Sequence, residues 1–367
     1  MNEKKQILLV GRFNPSDTLT GPEKYGKRLL EFLSERNYDV VFLDFFFKDK
    51  NVNIWKRLFG EQIVNERPLV IKYGIFRIIL FFFKTKPSIV HIINLESFQF
   101  VIFFLKYFIN FRLLTTFHGL LKKEIEGSFY KRKFNVKLKI KILESLALKL
   151  SDKLIFVSKL LEEKFKEEYK IDITRSVIIS GGIDEEFFQQ AKNKNFNEPY
   201  KFIFYDPNPE YVNRGFDQIL KSFEKMKSYD FELHVIGKGF KHDKSNTKFR
   251  VFYYQPFQKA KLLKFLEDKH FIVKGNAFDS FSIFVVECMA SGIIPIVHRD
   301  IGMSSIIENG INGFIYKLDN NESLEILFKN LFQGDYDLEK ISSNCIKSVE
   351  SLRWSNILKS YLNIYAK

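Results

Sequence analysis

Two carboxylates eight positions apart, Asp279 and Glu287, are the side chains in this sequence whose types and spacing best suit chemistry. Asp279 precedes a short apolar segment that is predicted to form a helix over 283–291, and Glu287 lies inside that helix. The first amides of a helix have no partner within it, so those of residues 281–283 would point at an anion placed there. The alternative is two solvent-facing acids, the commonest fate of carboxylates.

The residues that follow these acids extend the pattern. They read Cys288-Met-Ala-Ser-Gly292, then a strand-like run, and later Gly302-Met-Ser-Ser-Ile-Ile-Glu-Asn-Gly-Ile-Asn-Gly-Phe314. This order resembles the acid-x7-acid signature and the GGxxEIIxxGxNGF segment of retaining nucleotide-sugar glycosyltransferases of family 4 (glycosyl transferases group 1). Weaker similarities reach back to residue 6. The resemblance implies an α/β chain of the GT-B fold, with two Rossmann-like doubly wound domains and a cleft between them.

The resemblance also implies roles for the residues around the acids. Asp279 would contact the donor sugar and act in catalysis, and Glu287 would bind the ribose hydroxyls. The turn formed by Phe281, Ser282 and Ile283 would cradle the donor diphosphate. The chain departs from the family twice here, because Asp279 replaces Glu and Ser282 replaces Gly.

A cationic phosphate site is expected at the segment Asn208-Pro-Glu-Tyr-Val-Asn-Arg214-Gly215, where the family usually has an Arg and a Lys. Arg214 stands in the Lys place, and its guanidinium can bind phosphate. Pro209 stands in the Arg place, so one cationic group is missing. Lys238, between two glycines after a predicted strand, is a candidate to replace it. The alternative for Arg214 is a solvated residue at a helix start.

Two positions in the first half complete the predicted site. Gly21 lies between a strand and a helix in Thr20-Gly-Pro-Glu23, where the family has GGxE, although glycine is common at any such turn. His118 follows a predicted strand, at the sheet edge where doubly wound folds bind ligands. It resembles the family histidine beside the donor sugar, so it is the second predicted catalytic residue; a structural histidine is the alternative.

No cofactor or metal is expected. An Asp-x-Asp motif, Asp335-Tyr-Asp337, is present, but Asp337 is predicted to cap a helix, a position that Asp favours. A retaining transfer without an obvious carboxylate on the sugar's β-face would proceed by same-face attack, with the leaving phosphate as base. That mechanism is implied by the family resemblance.

Apolar strand-length runs alternate with amphipathic helical runs twice along the chain, which is typical of parallel sheets covered on both faces. Residues 1–180 are predicted to form the acceptor-side domain and 199–345 the nucleotide-sugar domain, joined by a polar linker. Residues 346–367 belong to one long predicted helix, Ser342 to Tyr365. The resemblance implies that this C-terminal helix crosses back to the first domain.

The composition fits a folded chain with anionic partners. The 367 residues include 42 Phe and are 46% hydrophobic, which excludes a disordered chain, and the net charge is +14. Two cysteines are too few for a disulfide framework and fit a reducing cytoplasm. Neither a signal peptide nor a membrane span is predicted. A cytoplasmic location is expected, with peripheral contact at the inner face of the cell membrane.

Nine Lys or Arg and three Glu lie between Leu120 and Leu150. The segment Lys122 to Lys149 therefore suggests an anionic membrane surface as a partner, and a solvated Lys-rich helix face is the alternative. A nucleic-acid partner is not expected, since no known nucleic-acid-binding module surrounds these residues.

The expected function is retaining transfer of a sugar from a UDP- or GDP-sugar to a glycan or glycolipid, namely a lipid-linked or growing cell-surface polysaccharide acceptor. The alternative is a non-catalytic scaffold of the same fold that binds a nucleotide or a partner protein. Pro209, Ser282 and Ser305 motivate this alternative, because each replaces a residue that the family usually has.

Overall fold

The computed structural model describes residues 6–14, 21–46, 51–120, 134–171, 174–190, 194–206, 215–237, 249–275, 278–317 and 321–366. The strands within these ranges form two separate sheets. The strands are β1 Ile7–Val10, β2 Val40–Phe45, β3 Glu61–Asn65, β4 Val70–Tyr73, β5 Ile89–Ile92, β6 Arg112–Phe117, β7 Lys153–Phe156, β8 Ser176–Ile178, β9 Tyr200–Asp206, β10 Phe231–Gly237, β11 Arg250–Tyr254, β12 Phe271–Lys274, β13 Ile294–His298 and β14 Phe314–Tyr316.

Helices follow most of the strands and cover the sheets. They are α1 Gly21–Glu35, α2 Ile54–Phe59, α3 Ile75–Thr85, α4 Phe100–Leu105, α5 Phe134–Leu150, α6 Lys159–Tyr169, α7 Glu185–Gln189, α8 Phe216–Lys225, α9 Lys259–Leu266, α10 Ile283–Ala290, α11 Asn321–Gln333, α12 Leu338–Val349 and α13 Trp354–Ala366.

The first sheet has the order β3-β4-β2-β1-β5-β6-β7-β8. All its neighbouring strands are parallel except the edge pair β3 and β4, which is antiparallel. Every residue of β1 and β2 is buried. Such strands carry apolar residues on both faces because helices cover both sides of the sheet.

The second sheet has the order β11-β10-β9-β12-β13-β14 and is parallel throughout. The strand order reverses beside β9, between β9 and β12, and in the first sheet it reverses between β1 and β5. Ligands of doubly wound folds bind outside the carboxyl ends of the strands at such reversals. The two sheets confirm the predicted pair of Rossmann-like doubly wound units, while the residue limits of the two domains stay a prediction.

The predicted single helix from Ser342 to Tyr365 is wrong. The structure has α12 and α13 instead, separated by a 3-10 turn at Glu350–Leu352 and an extended residue, Arg353. Here the chain pairs with Ile183, whose amide donates to the Leu352 carbonyl at 2.8 Å and whose carbonyl accepts from the Trp354 amide at 3.3 Å. An unbroken helix would have used these backbone groups internally, so the pairing with Ile183 ends the helix.

Helix α13 packs on the first sheet. The hydroxyls of Tyr361 and Tyr25 form a buried hydrogen bond, and the Tyr365 hydroxyl lies 2.6 Å from Nδ1 of His91 in β5. Helix α12 packs against α10 of the second unit. The C-terminal segment therefore contacts both units, with the crossing at Arg353.

Candidate functional site

Glu287 lies on helix α10, all of whose residues after Ile283 are buried. Its side chain is 10% exposed, and Oε1 lies 3.2 Å from Nζ of Lys24 in helix α1. Burial raises the pKa of Glu287, because the charged carboxylate loses solvation, and the Lys24 charge acts against this rise. The predicted ribose-binding acid is thus paired with a cation from the other unit.

Lys24 belongs to a larger polar cluster centred on Asp184. Oδ2 of Asp184 lies 3.0 Å from Lys24 Nζ and 2.9 Å from Lys259 Nζ, and Oδ1 accepts a hydrogen bond from Arg28 Nη2 at 3.1 Å. Burial alone would raise the pKa of Asp184, but the charges and hydrogen bonds of Lys24 and Lys259 lower it to about 2. Helices from both units therefore meet in one network of charges.

Asp279 lies in the loop before α10, with both carboxylate oxygens engaged. Oδ1 accepts a hydrogen bond from the Phe281 amide at 3.2 Å, and Oδ2 lies 3.4 Å from Nζ of Lys274. The Asp279 carbonyl accepts from the Gly302 amide at 2.7 Å, which fixes the loop against the GGxxEII-like segment. Of the three amides predicted to face an anion, that of Phe281 is already used by Asp279.

Ser282 has a left-handed backbone, with φ 65° and ψ 64°, and its side chain makes no capping hydrogen bond to α10. A residue with a Cβ is strained in this region, whereas glycine is not. The conformation explains physically why glycine would suit this position. The neighbouring Ile283 packs close to Gly181, since a Cβ there would lie 3.2 Å from Ile283 Cδ1.

His118 follows β6 and lies edge-on to the ring of Tyr25, with 5.1 Å between ring centroids. Burial lowers the pKa of His118 to about 4, so the imidazole is neutral at neutral pH. Its Nε2 is buried without a hydrogen-bond partner among the described residues. Because Tyr25 follows Lys24, the structure brings His118 and Glu287 to the same end of helix α1.

The remaining predicted site residues differ in what the structure shows. Gly21 is the first residue of α1, three positions before Lys24, and a Cβ there would meet no described heavy atom within 4 Å. Among the described residues, none therefore fills the space next to Gly21 at the amino end of α1. Arg214 and Lys238, like Pro209, lie outside the described residues.

A polar cavity of about 250 Å³ opens at the carboxyl edge of the first sheet. Lys72 lies 3.7 Å from Asp44 on one side of it, and Arg12 lies 3.9 Å from Glu23 on another. The lining residues are Arg12, Phe13, Asn14, Glu23, Asp44, Phe45, Lys72, Glu96 and Phe98. Paired charges and an aromatic wall are suited to hydroxyl-rich ligands, which need hydrogen bonds and an apolar face.

Asp337 caps helix α12, as predicted, since its side chain accepts a hydrogen bond from the Lys340 amide. Within the ranges that the structure describes, no group of three or more His, Cys, Asp or Glu side chains is arranged to hold a metal ion. Across the same ranges, no helix has the length and apolar character needed to span a bilayer.

Sequence reasoning missed four charged residues of the site: Lys24, Asp184, Lys259 and Lys274. Lys274 carried a usable signal, because a lysine ends an otherwise apolar strand and is followed by Gly275. It is 4% exposed and lies at the carboxyl end of β12, beside the reversal of strand order. The other three carried no such signal, since nothing local distinguishes them from surface charges.

Two family descriptions match this sequence, and together they span most of it. Glycosyltransferase Family 4 matches residues 19–187, and Glycosyl transferases group 1 matches residues 185–348. The chain belongs to glycosyltransferase family 4. No curated protein is significantly similar to this glycosyltransferase in sequence.

Solved structures show the same fold at low identity. Sucrose-phosphate synthase from Thermosynechococcus elongatus is 14% identical over 98% of each chain, with a TM-score of 0.73. A glycosyltransferase from Rickettsia africae is 19% identical over 99% of this chain and 98% of that one, with a TM-score of 0.71. HepE from Anabaena, solved with UDP, is 12% identical over 98% and 99%, with a TM-score of 0.68. This glycosyltransferase therefore has the GT-B fold.

Proposed function

We propose that this glycosyltransferase transfers a sugar with retention from a UDP- or GDP-sugar to a lipid-linked or growing cell-surface polysaccharide, without a metal. The observation that carries the proposal is the pair of acids at α10. Asp279 precedes the amino end of the helix, and Glu287 lies about one turn inside it, facing a cation of the other unit. Structures of the similar HepE were solved with UDP and with UDP-glucose, which supports a nucleotide-sugar donor.

Glu287 and Lys24 serve the nucleotide in this proposal. A carboxylate accepts hydrogen bonds from the two ribose hydroxyls, and the adjacent Lys24 ammonium favours the charged form of the buried Glu287. The helix start at Ser282 and Ile283 and the amino end of α1 at Gly21 offer amides to the diphosphate. Lys274 adds a fixed cation next to Asp279. Arg214 and Lys238 are proposed as further phosphate ligands.

Asp279 and His118 serve the sugar. The bond between the anomeric carbon and the diphosphate oxygen breaks, and the acceptor hydroxyl oxygen attacks the same face. Its proton passes to the leaving diphosphate, so no protein base is required. Asp279 orients a sugar hydroxyl. The other ring nitrogen of the neutral His118 donates to the backbone of Ile93, so Nε2, which has no partner among the described residues, accepts a hydrogen bond from a sugar hydroxyl.

The acceptor is proposed to enter the polar cavity beside Asp44 and Lys72 in the first unit. The net charge of +14 and the basic segment Lys122 to Lys149 support a peripheral position at an anionic membrane on the cytoplasmic side. Such a position would bring the enzyme to lipid-linked acceptors.

A non-catalytic scaffold is the second candidate, and the strained Ser282 favours it, together with Pro209 and Ser305. The two candidates differ in turnover. A thermal-shift panel of UDP, GDP, ADP and their sugars, with and without EDTA, identifies the nucleotide. Ligand at about 100 times its Kd stabilises by about 2.7 kcal/mol, a readable shift.

Glu287→Ala should abolish that thermal shift, with Asp335→Ala as the control that keeps it. Asp279→Ala should lower turnover more than nucleotide affinity. Detection of the α or β product by NMR with the preferred donor establishes the stereochemistry. A protein that binds a nucleotide but turns over none of its sugars contradicts the enzymatic proposal.

A further inference from the structure

Helix α3 carries an apolar stripe on its outer side as well as on its inner side. Ile78 and Phe82 face the core and are fully buried. Phe76, Leu80 and Phe83 are 45%, 62% and 51% exposed, and their spacing of four and three residues places them on one outward face. A surface helix ordinarily shows polar side chains there, so this outer stripe needs a separate explanation.

Helix α2 extends the stripe. The ring of Phe59 stacks on that of Phe76, with 4.9 Å between the ring centroids and an interplanar angle of 11°. The ring centroids of Trp55 and Phe59 are 5.9 Å apart. Trp55 is 69% exposed. We define the aromatic face as Trp55, Phe59, Phe76, Leu80 and Phe83. At about 150–250 Å² for each aromatic side chain, it exposes on the order of 500 Å², which is the size of the largest apolar patch on a typical monomer, and such patches are often functional.

Basic residues outnumber acidic ones in the segment that carries the aromatic face, although Arg77 pairs with Glu61 at 3.7 Å. Residues 51–86 contain seven Lys or Arg and two Glu. Lys56, Arg77, Lys84 and Lys86 are all exposed. Aromatic side chains flanked by Lys and Arg match the interface of an anionic bilayer, where rings lie at headgroup level and cations contact lipid phosphates.

We propose that the aromatic face docks on a bilayer that contains anionic lipids. A second copy of the chain is a poorer occupant, because a symmetric contact would bring two positively charged surfaces together. A bilayer with anionic lipids offers an apolar layer in which the rings can be buried and negative charge that attracts the lysines.

The helices next along the same side of the sheet continue this surface. Helix α4 packs between α3 and α5. Phe104 and Phe108, in and just after α4, are 57% and 63% exposed, with 4.8 Å between their rings. In α5, Lys139 and Lys141 are exposed beside Leu138 and Ile142, which are 47% and 44% exposed. The described part of the basic segment, helix α5, thus adjoins the aromatic face through α4.

The acceptor cavity lies close to this surface. Lys72 lines the cavity, and Lys72 and Lys56 both lie over the ring of Phe46, at 5.4 and 5.0 Å. Lys56 is also a neighbour of Trp55. A docked bilayer would therefore present headgroups near the cavity, and this step rests on the proposed lipid-linked acceptor.

The test is co-sedimentation of the full chain with vesicles of 70% phosphatidylcholine and 30% phosphatidylglycerol, compared with pure phosphatidylcholine. Binding should be at least tenfold stronger to the anionic vesicles and should weaken with salt. Trp55 reports insertion directly through a blue shift of its fluorescence. Trp55→Phe should remove that shift and keep sedimentation, since Trp354 is the only other tryptophan.

The decisive variant is Leu80→Ser/Phe83→Ser, with Ile326→Ser as the matched control, because Ile326 is 57% exposed on α11 of the second unit. The double variant should lower vesicle partitioning about tenfold or more, and the control should leave it unchanged. Circular dichroism verifies folding. Lys139→Gln/Lys141→Gln should weaken binding less, by severalfold.

Unchanged vesicle binding in the double variant would overturn the proposal. So would equal binding to neutral and anionic vesicles, or a concentration-dependent dimer in sedimentation velocity that the same substitutions abolish. The nucleotide thermal shift is measured on the same proteins. If the nucleotide shift is present while vesicles are not bound, the docking inference fails and the proposed donor chemistry stands. If vesicles are bound while no nucleotide gives a shift, the proposed donor chemistry fails and the docking inference stands.

Discussion

Lys24 Nζ lies 3.2 Å from Glu287 Oε1, and this contact joins the first helix of one Rossmann-like unit to the acid-bearing helix of the other. The pKa of Lys24 is raised: burial alone would lower it, but the charges of Glu287 and Asp184 prevail. Lys24, from the opposite unit, therefore opposes the rise that burial causes in the pKa of the proposed nucleotide-binding carboxylate.

Lys24→Met should destabilise the protein by about 1–3 kcal/mol, because it leaves Glu287 buried without its cation. Because the Lys24 side chain is a quarter exposed, this loss of stability should be smaller than that for a fully buried pair. Lys225→Met is the control: it breaks the 2.6 Å pair with Glu325 at a largely exposed lysine and should cost under about 1 kcal/mol. Urea unfolding measures both, and equal losses would contradict a special role for Lys24.

Asp184 should contribute to stability above its unfolded-state pKa and lose that contribution in acid. Its pKa falls from 3.8 to about 2 on folding, so the contribution is complete above pH 4 and disappears as the pH falls through 2. The shift corresponds to roughly 2 kcal/mol. Urea midpoints between pH 5 and 2 should decline more steeply for the wild type than for Asp184→Asn. The raised pKa of Glu287 has the opposite effect on the pH dependence of stability, and this effect is present in both the wild type and Asp184→Asn.

Lys274→Met should lower kcat by about 100-fold, because the proposed mechanism places this cation beside the diphosphate, where it would stabilise developing charge. Lys274→Arg should restore part of the rate. Lys269→Met provides the matched control, because Lys269 is equally buried and pairs with Asp268 away from the cleft. Steady-state kinetics with the donor identified by thermal shift give the result. A similar loss of kcat in both methionine variants would show a structural effect instead.

Ser282→Gly should keep nucleotide affinity and raise the free energy of unfolding by up to about 1 kcal/mol, since glycine adopts the left-handed conformation without strain. Ser282→Val should be destabilising by more than that. Ser291→Gly is a useful contrast, because Ser291 has a negative φ and its hydroxyl donates to the carbonyls of Phe187 and Glu287. Glycine there should destabilise. Chemical denaturation separates these outcomes.

Much of the fold was predictable because most of its strands contain a buried, predominantly apolar run. The runs at β1, β2, β5, β6 and β9 stand out in the sequence for that reason, and the two groups of alternating strands and helices indicated two units. The edge strand β3 was missed, since most of its residues are exposed and it begins with Glu and Gln. The edge strand β11 was also missed, although Val251 to Tyr254 form an apolar run. The break at Arg353 was also missed, because it depends on pairing with Ile183, 170 positions away.

The sequence by itself determined the family, the doubly wound fold and the acids at 279 and 287, because each is encoded by local order: apolar runs, helix starts and a short motif. Only the tertiary structure decided which charges act together. Lys24 meets Glu287, Asp184 meets Lys259, and Lys274 meets Asp279. Two of these pairs join residues more than seventy positions apart, and side chains so distant become neighbours only when helices and strands pack. The local spacing of residues in the sequence carries no information about contacts between side chains so far apart.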